Sequence, residues 1–375
     1  MGNSHAWWYA RTTLSHDKVL WVRKPHTAAK HSILRHYLEA WFPKLAWTRR
    51  VFFVDGFAGP GEYADGEPGS PIIALNAALQ HKGDLSKCEL LFMFVERDAD
   101  RFRQLQDVLQ RIDTKENVKF QALQGEFANH FGNILDRLES ERKNLTPSFI
   151  MVDPFGFTGM PFELIGRAAA QPRSEFLISF MYDSIVRWRN QPDHEQTFDV
   201  LFGCPDWRRA DGVPTPADRK AFLLDLYLDL AQLRSCGMDY VRSFELLDSG
   251  NRTEYFLVFA THSIDGLKAM KAAMWKVDPT GRYQFSDATV SSQLTLFATE
   301  PDYVQLKALL LGRFAGQAIS ISAIEEFVVA ETAFRESHYK RQILAPMERE
   351  GELTVVRSPR KMRYRYPLGT IIKFD

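Results

Sequence analysis

Four short runs in this 375-residue chain end in acids and glycines of the kind that hold small charged ligands. The first is Val51-Phe52-Phe53-Val54-Asp55, followed by Gly56-Phe57-Ala58-Gly59-Pro60-Gly61. A carboxylate closing an apolar run, then glycines that let a ligand approach the backbone, is what an adenosyl cofactor uses at the carboxyl edge of a parallel sheet. The second run ends in Glu96, placed to accept hydrogen bonds from ribose hydroxyls. The third leads into Gln124-Gly125-Glu126-Phe127, a polar and aromatic pair suited to border an adenine ring. The fourth ends in Asp153-Pro154-Phe155-Gly156-Phe157. An acid and then an aromatic at the same edge make Asp153 and Phe155 candidates for holding a target group, with catalysis mostly by alignment and electrostatic fit.

Upstream, Lys24-Pro25-His26-Thr27-Ala28-Ala29-Lys30-His31 opens a helix whose Ile33, Leu34, Tyr37, Leu38 and Trp41 form an apolar stripe. A basic helix start suits a cofactor carboxylate or a phosphate. His26 and His31 lack ligating neighbours, so no metal is expected. The cofactor-holding candidates are therefore Lys30, Asp55, Gly56, Gly59, Gly61, Glu96 and Glu126, and the catalytic candidates are Asp153 and Phe155.

The elements that must carry these residues follow from alternation of apolar runs with helical-length segments. Strands are expected at Val51 to Asp55, Leu90 to Glu96, Val118 to Leu123, Ser148 to Asp153 and Phe176 to Tyr182, with a helix near Phe162 to Ala170. Short β-branched and aromatic runs fit strands buried on both faces. Together they predict a doubly wound, Rossmann-like α/β sheet. Residues 183–238 read as a helical insertion that includes an amphipathic stretch, Ala217 to Leu233. Tyr240 to Leu247 and Thr253 to Ala260 flank Asp248-Ser249-Gly250-Asn251 and predict a β-hairpin. A helix over Leu267 to Trp275 follows, and Asp278 to Asp287 begins a linker.

Residues 300–375 read as a second domain, after a first spanning 1–290. Helices are expected at Tyr303 to Phe314, Ile321 to Val329 and Glu336 to Glu350. Strand-like runs at Glu352 to Val356 and Met362 to Tyr366 follow. Three helices and a basic two-stranded hairpin is the order of a winged helix-turn-helix. Lys340 and Arg341 on the third helix, with Arg357, Arg360, Lys361, Arg363 and Arg365 on the hairpin, suit phosphate contacts with DNA or RNA.

Net charge is zero, but its distribution is uneven: residues 1–50 hold nine Lys/Arg against two Asp/Glu, and residues 301–375 hold twelve against nine. Any polyanion is thus expected at the ends of the chain. Cys88, Cys204 and Cys236 lie far apart without metal-ligand spacing, which argues against disulfides and structural zinc. No run of about 18 apolar residues is present, and the expectation is a soluble, cytoplasmic protein without membrane contact.

Taken in order, strand-Asp-glycine turn, strand-Glu, strand-Gly-Glu and strand-Asp-Pro reproduce the sites of S-adenosylmethionine-dependent methyltransferases. The first turn lacks GxGxxG spacing and opens with an acid, which disfavours a nicotinamide cofactor. The chain also resembles the three-Cys-motif partner protein family (TcmP). The resemblance rests on residues 24–31 (KPHTAAKH), 54–63 (VDGFAGPGEY), 66–71 (GEPGSP), 152–157 (VDPFGF), 180–182 (FMY) and 274–279 (MWKVDP). It implies a methyltransferase-type fold with a C-terminal winged helix and a cysteine-motif protein as partner, with no settled substrate. The motif order is similar to that of methyltransferases acting on adenine amino groups of ribosomal RNA, from which Phe155 and Gly156 depart. The expectation is methyl transfer from S-adenosylmethionine to a nucleic-acid base, an exocyclic amino group being one target; the alternative is a non-catalytic scaffold of the same fold or a nucleic-acid-binding partner of a cysteine-motif protein.

Overall fold

In the computed structural model, residues 19–230, 236–287 and 301–374 are described. Helix α1, Pro25–Leu45, leads into strand β1, Arg50–Asp55, and the chain then alternates through α2 (Ser70–Leu79), β2 (Glu89–Glu96), α3 (Ala99–Leu109), β3 (Val118–Gln124), α4 (Phe127–Ser140), β4 (Ser148–Val152), α5 (Phe162–Ala169) and β5 (Ser174–Phe180). Short helices follow: α6 (Tyr182–Trp188), α7 (Glu195–Phe202) and α8 (Pro216–Asp225). The hairpin β6 (Tyr240–Leu247) and β7 (Thr253–Thr261), then α9 (Ile264–Val277) and β8 (Gln284–Ser286), complete an eight-stranded sheet of order β3-β2-β1-β4-β5-β7-β6-β8.

The first five strands are parallel, and β7 runs antiparallel to β5. This order, with a reversed strand beyond β5, is that of a Rossmann-like methyltransferase sheet. The order reverses at β1, where β2 and β4 lie on either side, the place outside the strand ends where open α/β sheets bind ligands. Register sets Asp55 beside Phe94 of β2 and Met151 of β4, so the residues that follow these strands reach one edge.

Alternation along the strands divides the core into two layers. Val51 and Phe53 face α1, α2, α3 and α9, whereas Val54, Ile150 and Ile178 face α4, α5 and the insertion. Phe53 stacks on Phe149 with ring centroids 5.8 Å apart. Burial of such rings is the dominant favourable term in fixing the sheet.

Two sequence expectations change in this part of the chain, and two lie outside what is described. The strand β3 is not buried on both faces; it lies at the sheet edge, and several of its residues are half-exposed. Residues 278–287 are not the start of a linker: they contain β8, and Asp287 bonds His26 of α1 at 2.9 Å. The boundary expected near residues 290–300, and residues 231–233 of the amphipathic stretch, lie outside the described residues.

The last part of the chain contains α10 (Tyr303–Phe314), β9 (Ala318–Ser320), α11 (Ile321–Glu331), a π-helical turn at Lys340–Leu344 continuing into α12 (Ala345–Glu350), and strands β10 (Leu353–Arg357) and β11 (Ile371–Phe374). The second strand of the hairpin is Ile371–Phe374 rather than Met362 to Tyr366. Pro359, Pro367 and Gly369 punctuate the longer loop between, and Ser358 and Thr370 share a hydroxyl hydrogen bond across its base at 2.8 Å. The third helix also begins later than Glu336.

This unit is joined to the sheet by donors from α9 and β6. The last carbonyls of a helix have no partners within it. At the end of α11, the buried Lys271 ammonium donates to the carbonyls of Val328, Val329 and Thr332 at 3.0, 2.8 and 2.9 Å. Trp275 Nε1 donates to Ala333 O and Arg242 Nη2 to Ala330 O. Among the described residues, no helix is long and apolar enough to cross a membrane.

Candidate functional site

The amino-terminal half of α1 lies across the carboxyl edge of the sheet and buries His26, Lys30 and His31 there. Lys30 is in the second turn, one residue before His31 and facing the strand ends. Its ammonium donates to Asp153 Oδ2, forming a salt bridge. Burial alone pushes the Asp153 carboxyl up, but the Lys30 charge and hydrogen bond, with the Ser179 hydroxyl nearby, outweigh it and hold the group below its ordinary range. Asp153 is thus a carboxylate, and one side chain from a helix 123 residues earlier in sequence keeps it so.

Asp55 behaves oppositely. It is fully buried, and desolvation raises its carboxyl to about 7 despite help from Ser70 and the Phe57 N–H, with repulsion from Asp153 adding to the rise. The Phe57 N–H donates to Asp55 Oδ1 at 3.1 Å and begins the glycine turn. Gly59 and Gly61 adopt φ of +62° and +84°, which side-chain-bearing residues rarely accept. Gly56 has no room for a Cβ because the Phe127 ring fills that space at 2.6 Å.

Glu96 ties this turn to the second strand. Its Oε2 accepts from Gly59 N at 2.9 Å and its Oε1 from Asp98 N at 2.7 Å. Burial still raises its carboxyl above the usual range. Glu126 sits at the start of α4, half-exposed, with Arg97 Nη1 3.3 Å from its Oε1. Asp55, Glu96, Asp153 and Lys30 are therefore brought to one crevice, with Glu126 at its margin.

Several side chains that the sequence reading did not select complete the site. Tyr63, Tyr255 and His31 surround the Lys30–Asp153 pair: the His31 and Tyr63 rings are 5.6 Å apart, and Lys30 Nζ lies 5.4 Å from the Tyr255 ring. Burial, joined by the Lys30 charge, lowers the His31 pKa to about 3, so its imidazole is neutral. The His31 Nδ1 and the Tyr255 hydroxyl are buried without hydrogen-bond partners among the described residues. Tyr63 stands inside the motif 54–63, and its aromatic-after-acid position was the available signal; Tyr255 comes from the distant hairpin and carried none.

Phe155 is 61% exposed, and Trp21 packs on it with centroids 4.4 Å apart. In the C-terminal unit, Arg341, Arg357, Lys361, Arg363 and Arg365 are exposed. Lys340 is ion-paired with Glu325 at 3.2 Å, and Arg360 makes a bidentate pair with Glu348 at 2.8 and 2.7 Å, so these two are held inside the unit.

An adenosyl cofactor would fit this donor set. The crevice offers glycine backbone with no room for side chains, carboxyls at the ends of β1 and β2, a lysine, and orphaned polar atoms on His31 and Tyr255.

No family model matches the chain, and no curated protein matches it. Among solved structures, the chain is similar to a DUF519-family protein from Legionella pneumophila, at 10% identity and TM-score 0.35, covering 62% of this chain and 85% of that one. It is also similar to a precorrin-6y C5,15-methyltransferase from Geobacter metallireducens, at 11% identity and TM-score 0.28, covering 60% and 88%. A SAM-dependent methyltransferase from Methanosarcina mazei gives 12% identity and TM-score 0.28, covering 56% and 91%. At such values these likenesses carry no residue roles, and the functional reading rests on this chain's own geometry.

Proposed function

We propose that this protein is an S-adenosylmethionine-dependent methyltransferase acting on a base of DNA or RNA, at an exocyclic amino group. The observation that carries this reading is the meeting of the buried Asp55, Glu96 and Lys30 with Asp153 at one edge of the sheet, beside a glycine turn. Glu96 would accept the ribose hydroxyls, the turn Gly56 to Gly61 would lie against the cofactor, Glu126 would border the adenine, and Lys30 would meet a carboxylate. When bound, the cofactor supplies an electrophilic methyl group on sulfur.

The chain's own contribution is positioning. Lys30 bonds Asp153 Oδ2, which leaves Oδ1 able to accept an amino hydrogen. Kept ionised, Asp153 would turn the nitrogen lone pair of a target toward the cofactor side, and Phe155 would stack on the ring. A base within a duplex would have to leave the stack to reach this depth.

We read the C-terminal unit as a winged helix-turn-helix, with α11 and α12 as its helix pair and the loop 358–370 as its wing. Arg341, Arg357, Lys361, Arg363 and Arg365 would neutralise phosphates. The family resemblance adds a cysteine-motif protein as partner.

The test is calorimetric titration with S-adenosylmethionine, paired with transfer of a labelled methyl to nucleic acid. Binding with transfer that is lost in Asp153→Ala supports the reading; no binding defeats it. The engagement of Asp153 by Lys30 favours a second reading, a scaffold whose ion pair is structural. That reading expects partner binding without methyl transfer, and no effect of Asp153→Ala on function.

A further inference from the structure

The chain entering α1 runs over the crevice as a strap, and its most conspicuous member is Trp21. The Trp21 indole lies on the glycine turn: a Cβ on Gly59 would stand 2.9 Å from the ring. Gly59 is also the residue whose N–H bonds Glu96. On its other side the indole packs on Phe155, the ring that follows Asp153. The Arg101 guanidinium, from α3, lies 4.5 Å from the Trp21 ring centroid and 5.6 Å from that of Phe155. A fused two-ring system is thus held between an aromatic face, a cation and a side-chain-free backbone turn, at the junction of the groups assigned above to cofactor and target.

Among the described residues, the strap is fastened by a backbone hydrogen bond and by surface ion pairs, Lys24 with Glu254 at 3.6 Å among them. The Ala64 N–H donates to Trp21 O at 2.8 Å. Arg23 pairs with Asp65 and Glu67, at 3.8 and 3.2 Å, on the small hairpin 62–68 beside the crevice. These acids are half-exposed, and ion pairs of this kind contribute little. A tilted ring contact with Phe155 and the cation–π contact with Arg101 add to this hold. Contacts of this kind can be displaced by a ligand that makes them itself.

We propose that the slot framed by Phe155, Arg101 and Gly59 is a binding site for a planar fused ring of purine type, and that Trp21 fills it in the free protein until such a ring displaces the indole. The ring has two sources, the adenine of an adenosyl compound or a purine of the nucleic acid, and the inference rests on the proposed function only for which of them arrives. With the slot self-occupied, apparent affinity is reduced by the fraction of molecules whose strap is open.

The experiment compares the full-length chain with Trp21→Ala and with Arg23→Glu, which repels the strap from Asp65 and Glu67 while leaving the slot intact. Three probes are titrated: S-adenosylhomocysteine, a ten-nucleotide oligoadenylate and a ten-nucleotide oligouridylate. Both variants are expected to bind at least one purine probe about tenfold more tightly than the unaltered chain, with oligouridylate unchanged. A gain confined to S-adenosylhomocysteine assigns the slot to the cofactor, and one confined to oligoadenylate assigns it to the nucleic acid. Unchanged or weaker purine binding in both variants overturns the inference, as does an equal gain for oligouridylate. If the unaltered chain binds S-adenosylmethionine and the variants gain nothing, the slot fails and the methyltransferase reading stands. If no form binds an adenosyl compound but the variants gain oligoadenylate affinity, the reverse holds.

Discussion

Asp55 is the side chain whose burial most directly sets a measurable property. Its carboxyl is raised from 3.8 to about 7, so between those values it is protonated in the folded chain and ionised in the unfolded one. Its contribution is fully present below about pH 4 and is lost as pH rises toward 7, by an amount on the order of 4 kcal/mol. His31 works in the opposite sense, since it stays neutral in the fold while the unfolded imidazole takes up a proton below about 6.5. Comparing the chain with Asp55→Asn isolates the carboxyl from that background. Urea unfolding at pH 4, 5.5 and 7 is expected to show a variant that gains stability relative to the parent as pH rises; a constant difference between the two would defeat this assignment. The Lys30–Asp153 pair gives a second test. Lys30→Met leaves a carboxylate in a largely buried site and should cost about 3 kcal/mol, whereas Lys30→Met with Asp153→Asn should recover much of that loss. Additive losses in the double-mutant cycle would show that the two side chains do not act as a pair.

At the scale of elements, the packing of α9 against α11 decides how the two halves of the molecule are joined. Lys271 donates to three carbonyls at the end of α11, those of Val328, Val329 and Thr332, of which Val328 O also accepts the Thr332 hydroxyl at 2.6 Å. Replacing it with Met keeps most of the apolar stem and removes all three bonds. Lys271→Met is expected to lower stability by about 2–4 kcal/mol, by analogy with the removal of other buried charge-assisted bonds. It should also split a single urea transition into two as the C-terminal unit unfolds separately. An unchanged, single transition would mean that apolar packing alone joins the units. Nothing around Lys271 in the sequence announced this role: a lysine in an amphipathic helix reads as solvated, and only its partners, 57 to 61 residues further on, make it structural. By contrast α10, β6 and β7 were legible almost to the residue, since each carries its own periodicity and turn chemistry. Strand β11 was missed because a basic, aromatic run at Met362 to Tyr366 imitates strand composition, while the tertiary pairing with β10 selects Ile371–Phe374.

For the whole molecule, the exposed basic residues of the C-terminal unit predict how any nucleic-acid affinity depends on salt. Arg360 and Lys340 already have acidic partners, so removing them should act on stability more than on binding. Lys361, Arg363 and Arg365 are exposed, and changing all three to Ala is expected to lower the salt slope of binding by about one for each phosphate that is no longer neutralised. Fluorescence anisotropy with a labelled oligonucleotide over a salt series measures this; a parallel line at lower affinity would place the phosphate-binding residues elsewhere.

The order of amino acids was enough to specify the sheet, the strand-end acids, the glycine turn and the first two C-terminal helices, because each depends on neighbours within a few residues or on a period the chain repeats. Which charges meet was settled by packing. It turned Lys30 onto Asp153, left Asp55 protonated below about pH 7, drew Arg360 onto Glu348, and laid Trp21 on Phe155. The physical reason is that ionisation and ion pairing depend on burial and on distances of a few ångströms between residues far apart in the chain, and these exist only once the layers have come together.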